Sequence, residues 1–544
     1  MAQTSPQPQT PTPPKPPGDR PHDETIKETI ESIVIAFVLA FVFRAYVVEA
    51  FVIPTGSMAP TLLGAHLVIR CQQCGYRFAI DVPDSRGFSR YTTLPATCPM
   101  CRFPNPISAA HRVGSGDRIL VQKYIYSFSQ PQRWDVVVFK APHQPDQNYI
   151  KRLVGLPNEA ICIFDGNIYV SPLQPDGQPD PDGWHIARKT ARPQVQRAVW
   201  QPIYHSQFIP RDGGRNRASQ FAWSAPWIPP DEQRSLWEID GQRSYRYSGA
   251  GRGEIRFDFV ASGDNETIGI YPYNQFSSRI VGEPIEDIRL AAFFQPDQAG
   301  LRVSLSTTAR LLPRPAPDSP EALADREPDT LTATLDEQGT LILTATPPGG
   351  PAQELGRAQT APLAPGRATQ MELWYVDQEA SVWIDGKLVL VNAFDYSLEE
   401  VFARPAPQAR PTVRIVVEGG PVTLHQVELD RDLYYSATDH GDNGDLLLGG
   451  AVRRPRGIEM EPALIGPNQY FFAGDNSPRS QDSRYWPGLS MNPWILERFN
   501  GTPGMVPGEL IMGRAFFVYF PAMLQLSEDK PGIIPNFGDI RFIH

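Results

Sequence analysis

Basic charge is what this sequence has little of. Fifty Lys and Arg stand against 60 Asp and Glu, for a net charge of -10 over 544 residues, which argues against nucleic acid as the main ligand, because phosphate binding needs clustered cations. Cysteine is scarce as well; the five present inform only through their spacing. Long apolar runs are nearly absent: one segment near the N-terminus approaches membrane length, and the later run Ala515–Leu526 is short and interrupted by Pro521, so it reads as strand and loop. Proline is plentiful. Its 57 copies are about double the usual share and suit many loops and short strands better than long helices, so the fold is expected to be mainly β. A chain of this length exceeds one ordinary core, and roughly two to four domains are expected.

Residues Met1–His22 are nearly all Pro, Gln, Thr and Ser, a composition that buries too little apolar surface to offset its ordering entropy; a disordered tail is expected over 1–23. The run Ile33–Phe43 is shorter than the roughly 20 residues a bilayer requires. A helix from near Thr25 through Tyr46 would reach, with Lys27 and Arg44 snorkelling to the interfaces. Asp23, Glu24, Glu28 and Glu31 before the run disfavour a cleaved signal peptide, which begins with basic residues. Lys15, Arg20 and Lys27 precede the segment and Arg44 follows it, placing the N-terminus in the cytoplasm. A single-pass transmembrane helix is therefore expected within 24–50, with the rest of the chain outside.

Just beyond lies Phe51-Val-Ile-Pro-Thr-Gly-Ser57-Met-Ala-Pro-Thr61. Small residues flanked by prolines lift the Ser57 hydroxyl onto a turn, where it serves as a nucleophile if a base and oxyanion donors face it, and is otherwise a surface turn. Cys71-Gln-Gln-Cys74 and Cys98-Pro-Met-Cys101 can present four thiolates tetrahedrally to a structural Zn²⁺; two disulfides are the alternative in an extracytoplasmic setting. Cys162, within Ala-Ile-Cys-Ile, reads as a buried small hydrophobe.

Three β-like runs follow, Arg118–Gln122, Asp135–Phe139 and Tyr149–Val154. Lys151 in the third has apolar neighbours. To act as a base it must fall from about 10.4 to about 7 or 8, which takes about 4 kcal/mol of differential destabilisation of its charged form; the alternative is a solvated lysine on an edge strand. From Ser171 to Leu433, alternating runs such as Thr332–Leu335 and Leu341–Leu343, or Ser381–Ile384 and Lys387–Val391, are separated by Asp- and Gly-containing turns, the pattern of a β-sandwich. Trp374-Tyr-Val-Asp and Val382-Trp-Ile-Asp-Gly resemble jelly-roll sandwiches of the lectin and laminin-G type, a likeness of fold alone. The acidic loop Asp439–Asp445 lacks the spaced glutamate of an EF-hand and reads as a hairpin tip.

With Gly474-Asp-Asn-Ser-Pro-Arg-Ser480-Gln-Asp482-Ser-Arg484, the chain resembles a type I signal peptidase (leader peptidase), a membrane-anchored serine protease with a Ser–Lys dyad. Pro54-Thr-Gly-Ser-Met-Ala-Pro-Thr61 and Tyr149-Ile-Lys-Arg-Leu-Val-Gly-Leu-Pro157 precede it in the family's order. The resemblance implies Ser57 as nucleophile, Lys151 as general base and Ser480 as the group orienting the lysine. It implies an oxyanion hole from the Ser57 N–H and the Thr55 hydroxyl, and an Asp482–Arg484 pair bracing the Ser480 segment. It implies shallow pockets for Ala-x-Ala-type substrates lined by Phe51, Ile53, Pro54, Met58, Leu62, Val68, Val138, Tyr149 and Ile150. Trp134 stands where the family usually has glycine. No catalytic cofactor is expected. The expected partners are preprotein signal peptides, the bilayer and the secretion machinery, and the expected location is the cytoplasmic membrane with the catalytic domain on its outer side. The expected organisation is a signal-peptidase-type β core in pieces 51–70, 105–172 and 436–544, interrupted by a zinc ribbon at 71–104 and a β-sandwich (jelly roll) at 173–435. None of the three motifs contains histidine, so a Ser–His mechanism has no obvious base. A self-cleaving repressor-type Ser–Lys protease would bring a DNA-binding domain and no anchor; a catalytically silent tethered protein binding carbohydrate or envelope partners through the sandwich is the reading from another class.

Overall fold

A computed structural model describes residues 21–82, 95–107, 111, 113–211, 223–259, 272–276, 283–311, 327–404, 410–439, 445–454, 457–489, 491–521 and 536–544. Residues 1–20 of the expected disordered tail and most of the acidic loop Asp439–Asp445 lie outside these residues, whereas the last three residues of that tail, 21–23, belong to a helix. The chain divides into two units, Met1–Glu49 and Ala50–His544.

In the first unit a helix spans Pro21–Tyr46. It stops short of residue 50, because the adjacent β-branched Val47 and Val48 lose rotamer freedom in a helix and Val48–Val52 forms a strand instead. Ile33, Phe37, Leu39 and Phe41 are exposed. Among the described residues no helix is long and apolar enough to cross a membrane; the uninterrupted apolar run is only Ile33–Phe43, and Lys27, Glu28 and Glu31 occupy the turns before it.

In the second unit the central sheet runs through Arg118–Gln122, Ile511–Phe520, Val136–Lys140, Asn148–Gly155, Gln469–Ala473 and Val506–Pro507. Val136–Lys140 and Asn148–Gly155 form an antiparallel hairpin that sets Val137 opposite Lys151 and Val138 opposite Ile150. On the other edge, Ala473 pairs with Arg152. The strand carrying Lys151 thus lies beside the one that leads into Gly474, although more than three hundred residues of sequence separate them. A second sheet includes Glu159–Phe164, Asn167–Pro172 and Gly450–Arg454. Cys162 is fully buried there, and burial pushes its thiol up to about 12.

Between Gln201 and Arg431 two sheets of antiparallel strands share one core. Leu290, Leu373 and Leu424 come from one sheet, Val303, Leu331 and Ile415 from the other. Alternation explains the strands. Asp329–Leu335 and Thr340–Thr346 bury every second residue, and the turn between them uses Gly339 at φ +84, a conformation suited to glycine. Lys189 ties this sandwich to the central part of the unit. It pairs with Asp377 and, at 2.9 Å, with Asp432, all three nearly fully buried. Its ammonium also lies 5.2 Å from the ring centre of Trp134.

Candidate active site

The Ser57 turn is a short 3-10 helix, Gly56–Met58. Met58 is fully buried and anchors the turn, leaving Ser57 partly exposed. Gly64 folds back onto this turn, and a Cβ there would lie 2.2 Å from the Thr55 carbonyl carbon, so the Gly64 position permits the backbone approach. Lys151 points at the turn from its strand. Its Nζ donates to Ser57 Oγ at 2.8 Å and to the Ile150 carbonyl at 3.1 Å. The residue is 5% exposed. Burial outweighs the attraction of Asp482 and Asp475, and the Lys151 pKa falls to about 8. The neutral amine therefore becomes accessible near neutral pH, and the same contact then lets the amine accept the Ser57 proton.

The Gly474–Arg484 segment closes around this pair. Arg484 holds Asp482 through Nε and Nη2, both at 2.8 Å, and Asp482 accepts from the Gly474 N–H at 2.9 Å. Burial pushes the Asp482 acid up, but Arg484 and the hydrogen bonds outweigh it and hold the pKa below the usual carboxylate range. Ser480 is buried beside the pair; among the described residues its Oγ meets no partner, Lys151 included, in full hydrogen-bonding geometry, although it is near enough to Asp482 to favour that carboxylate's charged form. Gly474 keeps this space open: a Cβ would come within 2.2 Å of Ser480 Oγ and 2.5 Å of Ser57 O. Thr55 is exposed and caps no helix with its side chain.

Of the residues expected to line substrate pockets, Phe51, Ile53, Met58, Leu62, Val138 and Ile150 form one apolar cluster next to the turn. Tyr149 packs instead with the cluster of Phe139 and Trp486. Pro54 is exposed, and Val68 lies on the His66–Arg70 strand, whose neighbours Leu67 and Ile69 belong to the cysteine cluster. Trp134 adopts φ +75, the left-handed region that favours glycine. Its buried ring and its Nε1 bond to the Arg188 carbonyl, 3.1 Å long, hold it there.

Several groups were not legible from the motifs. Arg152 makes a double contact with Asp475, with Nε and Nη2 each at 2.7 Å and neither side chain exposed, and Thr61 Oγ1 donates to the same carboxylate. The signal was available: Arg152 adjoins Lys151 and so faces the opposite side of the strand. Asn476 donates from its backbone to Ser57 O at 3.1 Å and from Nδ2 to Gly56 O at 2.9 Å.

The cysteines form a separate centre. Cys71, Cys74, Cys98 and Cys101 are buried free thiols whose sulfurs lie within 4.8 Å of one another. Two of the separations are 3.5 and 3.6 Å, near the roughly 3.8 Å that tetrahedral Zn–S bonds of about 2.3 Å require. Two matching turns present them. The Cys71 N–H donates to Tyr76 O and the Cys98 N–H to Phe103 O, with Gly75 and Arg102 at positive φ in the equivalent places. The donor set fits a closed structural zinc site.

A serine hydroxyl in contact with a buried lysine of lowered pKa has a proton acceptor within reach once that lysine is neutral. The chain belongs to the signal peptidase, peptidase S26, family: the family profile matches residues 26–82, 102–215 and 407–520, together more than half of the chain. Signal peptidase I of Rickettsia bellii is 28% identical over 130 residues, 24% of this chain and 34% of that protein. Signal peptidase I of Pseudomonas fluorescens is 29% identical over 121 residues, 22% of this chain and 28% of that protein. The matched part thus spans about a third of the length of these curated relatives. A carbohydrate-binding module from Bacillus subtilis is similar over 38% of this chain and 96% of its own, at 9% identity and a TM-score of 0.23, a level on which no argument rests.

Proposed function

We propose that this protein is a membrane-anchored serine endopeptidase that removes N-terminal signal peptides from exported preproteins, cutting after small residues of the Ala-x-Ala type. The observation that carries the reading is the 2.8 Å contact of Lys151 Nζ with Ser57 Oγ, made by a lysine whose burial brings its pKa to about 8. Neutral Lys151 takes the Ser57 proton as Oγ attacks the scissile carbonyl. The resulting ammonium returns that proton to the leaving amine, leaving an ester on Ser57. Lys151 then deprotonates a water that hydrolyses the ester, and Ser57 regains its proton. The Ser57 N–H and the Thr55 hydroxyl receive the oxyanion. Ser480 Oγ is the hydroxyl that orients the lysine amine when the Ser57 bond is given up to the substrate.

The substrate binds as an extended strand, its small side chains against Phe51, Ile53, Met58, Leu62, Val138 and Ile150. Pro54, Val68 and Tyr149 extend that surface. The exposed apolar side chains of the Pro21–Tyr46 helix enter the bilayer as a single-pass anchor in the cytoplasmic membrane, with the catalytic unit on the outer side, which raises the local concentration of signal segments held in the same bilayer. The secretion machinery delivers those substrates. Cys71, Cys74, Cys98 and Cys101 hold a structural Zn²⁺, which leaves no open ligand position and takes no part in the chemistry.

The test is turnover of a preprotein in detergent. Ser57→Ala and Lys151→Ala are each expected to abolish cleavage with the melting transition retained; persistent cleavage by either variant overturns the mechanism.

A further inference from the structure

The Ser57 turn touches a part of the chain that the family match leaves out. Residues Pro272–Asn274 form a 3-10 turn within the unmatched stretch 216–406. Its Asn274 meets Asn476 amide to amide: Asn274 Nδ2 donates to Asn476 Oδ1 at 2.6 Å, and Asn476 Nδ2 donates to Asn274 Oδ1 at 3.0 Å. Both side chains are at most 5% exposed. The preceding Tyr273 packs against Gly56, where a Cβ would be 2.4 Å from its ring. Gln275 fastens the turn on its far side, accepting at 2.7 Å from the N–H of Thr97, the neighbour of Cys98.

The hydrogen-bond count shows what Asn274 does. A primary amide has two N–H donors and one carbonyl acceptor. Asn476 spends one donor on Gly56 O and the other on Asn274, and its acceptor is taken by Asn274. Turning the amide over would set its oxygen against the Gly56 carbonyl, so that carbonyl sets the orientation of Asn476, and Asn274 satisfies the donor and the acceptor that remain. Without Asn274, one buried donor and the acceptor of Asn476 lose their partners, and the side chain that bonds Gly56 is no longer braced from behind.

We propose that Asn274 is a positioning residue for Ser57, acting through Asn476, so that the inserted sandwich is a working part of the active site and not an appendage to it. This rests on the peptidase reading above. Two measurements on the full chain in detergent test it, one of them independent of turnover. In Asn274→Ala, the amides of Asn476 and Ala59, which bond to Ser57 O and Gly56 O, exchange their hydrogens at least about tenfold faster, while those of Val136–Lys140 keep their rates. On a preprotein, kcat falls about tenfold with KM within about twofold. The loss largely disappears when Asn274→Ala is introduced into Asn476→Ala, as a shared pathway requires. Unchanged exchange at both amides overturns the proposal whether or not the chain proves to be a peptidase. If wild-type protein shows Ser57-dependent cleavage and Asn274→Ala cleaves equally well, it is overturned too. Absence of Ser57-dependent cleavage in the wild type sinks the peptidase reading alone, and the exchange measurement then decides the role of Asn274.

Discussion

Lys151 shows how much a single position depends on its surroundings. Its neighbours Tyr149, Ile150, Leu153 and Val154 are apolar in the sequence, but only burial in the folded chain lowers its pKa to about 8. The sign of the pH dependence follows. In the proposed mechanism the base is the neutral amine, so kcat/KM on a preprotein is expected to rise about tenfold per pH unit up to about 8 and to level off above it; a flat profile between pH 6 and 9 contradicts Lys151 as the base. Gly474 is the other decisive residue. A methyl group there meets both Ser480 Oγ and the Ser57 carbonyl; the hydroxyl can rotate away but the carbonyl belongs to the backbone. Gly474→Ala is expected to cost about a hundredfold in kcat/KM through displacement of the nucleophile, and about 1–3 kcal/mol of stability in denaturant unfolding through overpacking.

At the scale of elements, the strand Asn148–Gly155 has two faces with different tasks. Lys151 faces the serine turn and Arg152 the opposite side, where it meets Asp475 out of contact with water. Arg152 thus joins the strand to the Gly474 segment, and Lys151 joins it to the Ser57 turn. Removing one partner leaves a buried charge, so Asp475→Ala should destabilise the protein by about 3–5 kcal/mol, read as a lowered melting temperature. Replacing both, as in Arg152→Met with Asp475→Leu, should recover most of that loss; a double variant no better than the single one contradicts the account. Hairpins within the sandwich were legible, because Leu331, Ala333 and Leu335 face Leu341, Leu343 and Ala345 in a register that alternation and a short Gly-containing turn determine. The Arg152–Asp475 pair was not, since no periodicity relates positions 323 residues apart.

At the scale of the molecule, the insertions are joined to the rest by polar contacts, some buried and some at the surface. Lys189 with Asp377 and Asp432 holds one end of the sandwich, and Gln275 links the Pro272–Asn274 turn to the cysteine centre. Attraction from the two aspartates outweighs the burial of Lys189 and raises its pKa above the usual lysine range, so it stays charged at a pH at which Lys151 has lost its proton. The cysteine centre should retain about one zinc per chain through purification, measured by elemental analysis. Stripping the metal with a chelator should make the four thiols reactive to alkylation and lower the melting temperature; a metal-free protein with two intrachain disulfides contradicts the zinc assignment.

The sequence by itself determined the mainly β character, the paired CxxC turns, and the three motifs that carry Ser57, Lys151 and Ser480, because each is written in neighbouring residues and local spacing. It also marked a helix ending at Tyr46, though not its start at Pro21. Tertiary structure alone decided which groups meet: Lys151 with Ser57, Arg152 with Asp475, Lys189 with its aspartates, and Asn274 with Asn476. Burial and hydrogen-bond direction arise from strand pairing and packing across hundreds of residues, and a residue's own neighbours in the chain do not encode them. The sequence names the candidate nucleophile, but the fold sets the environment on which its chemistry depends.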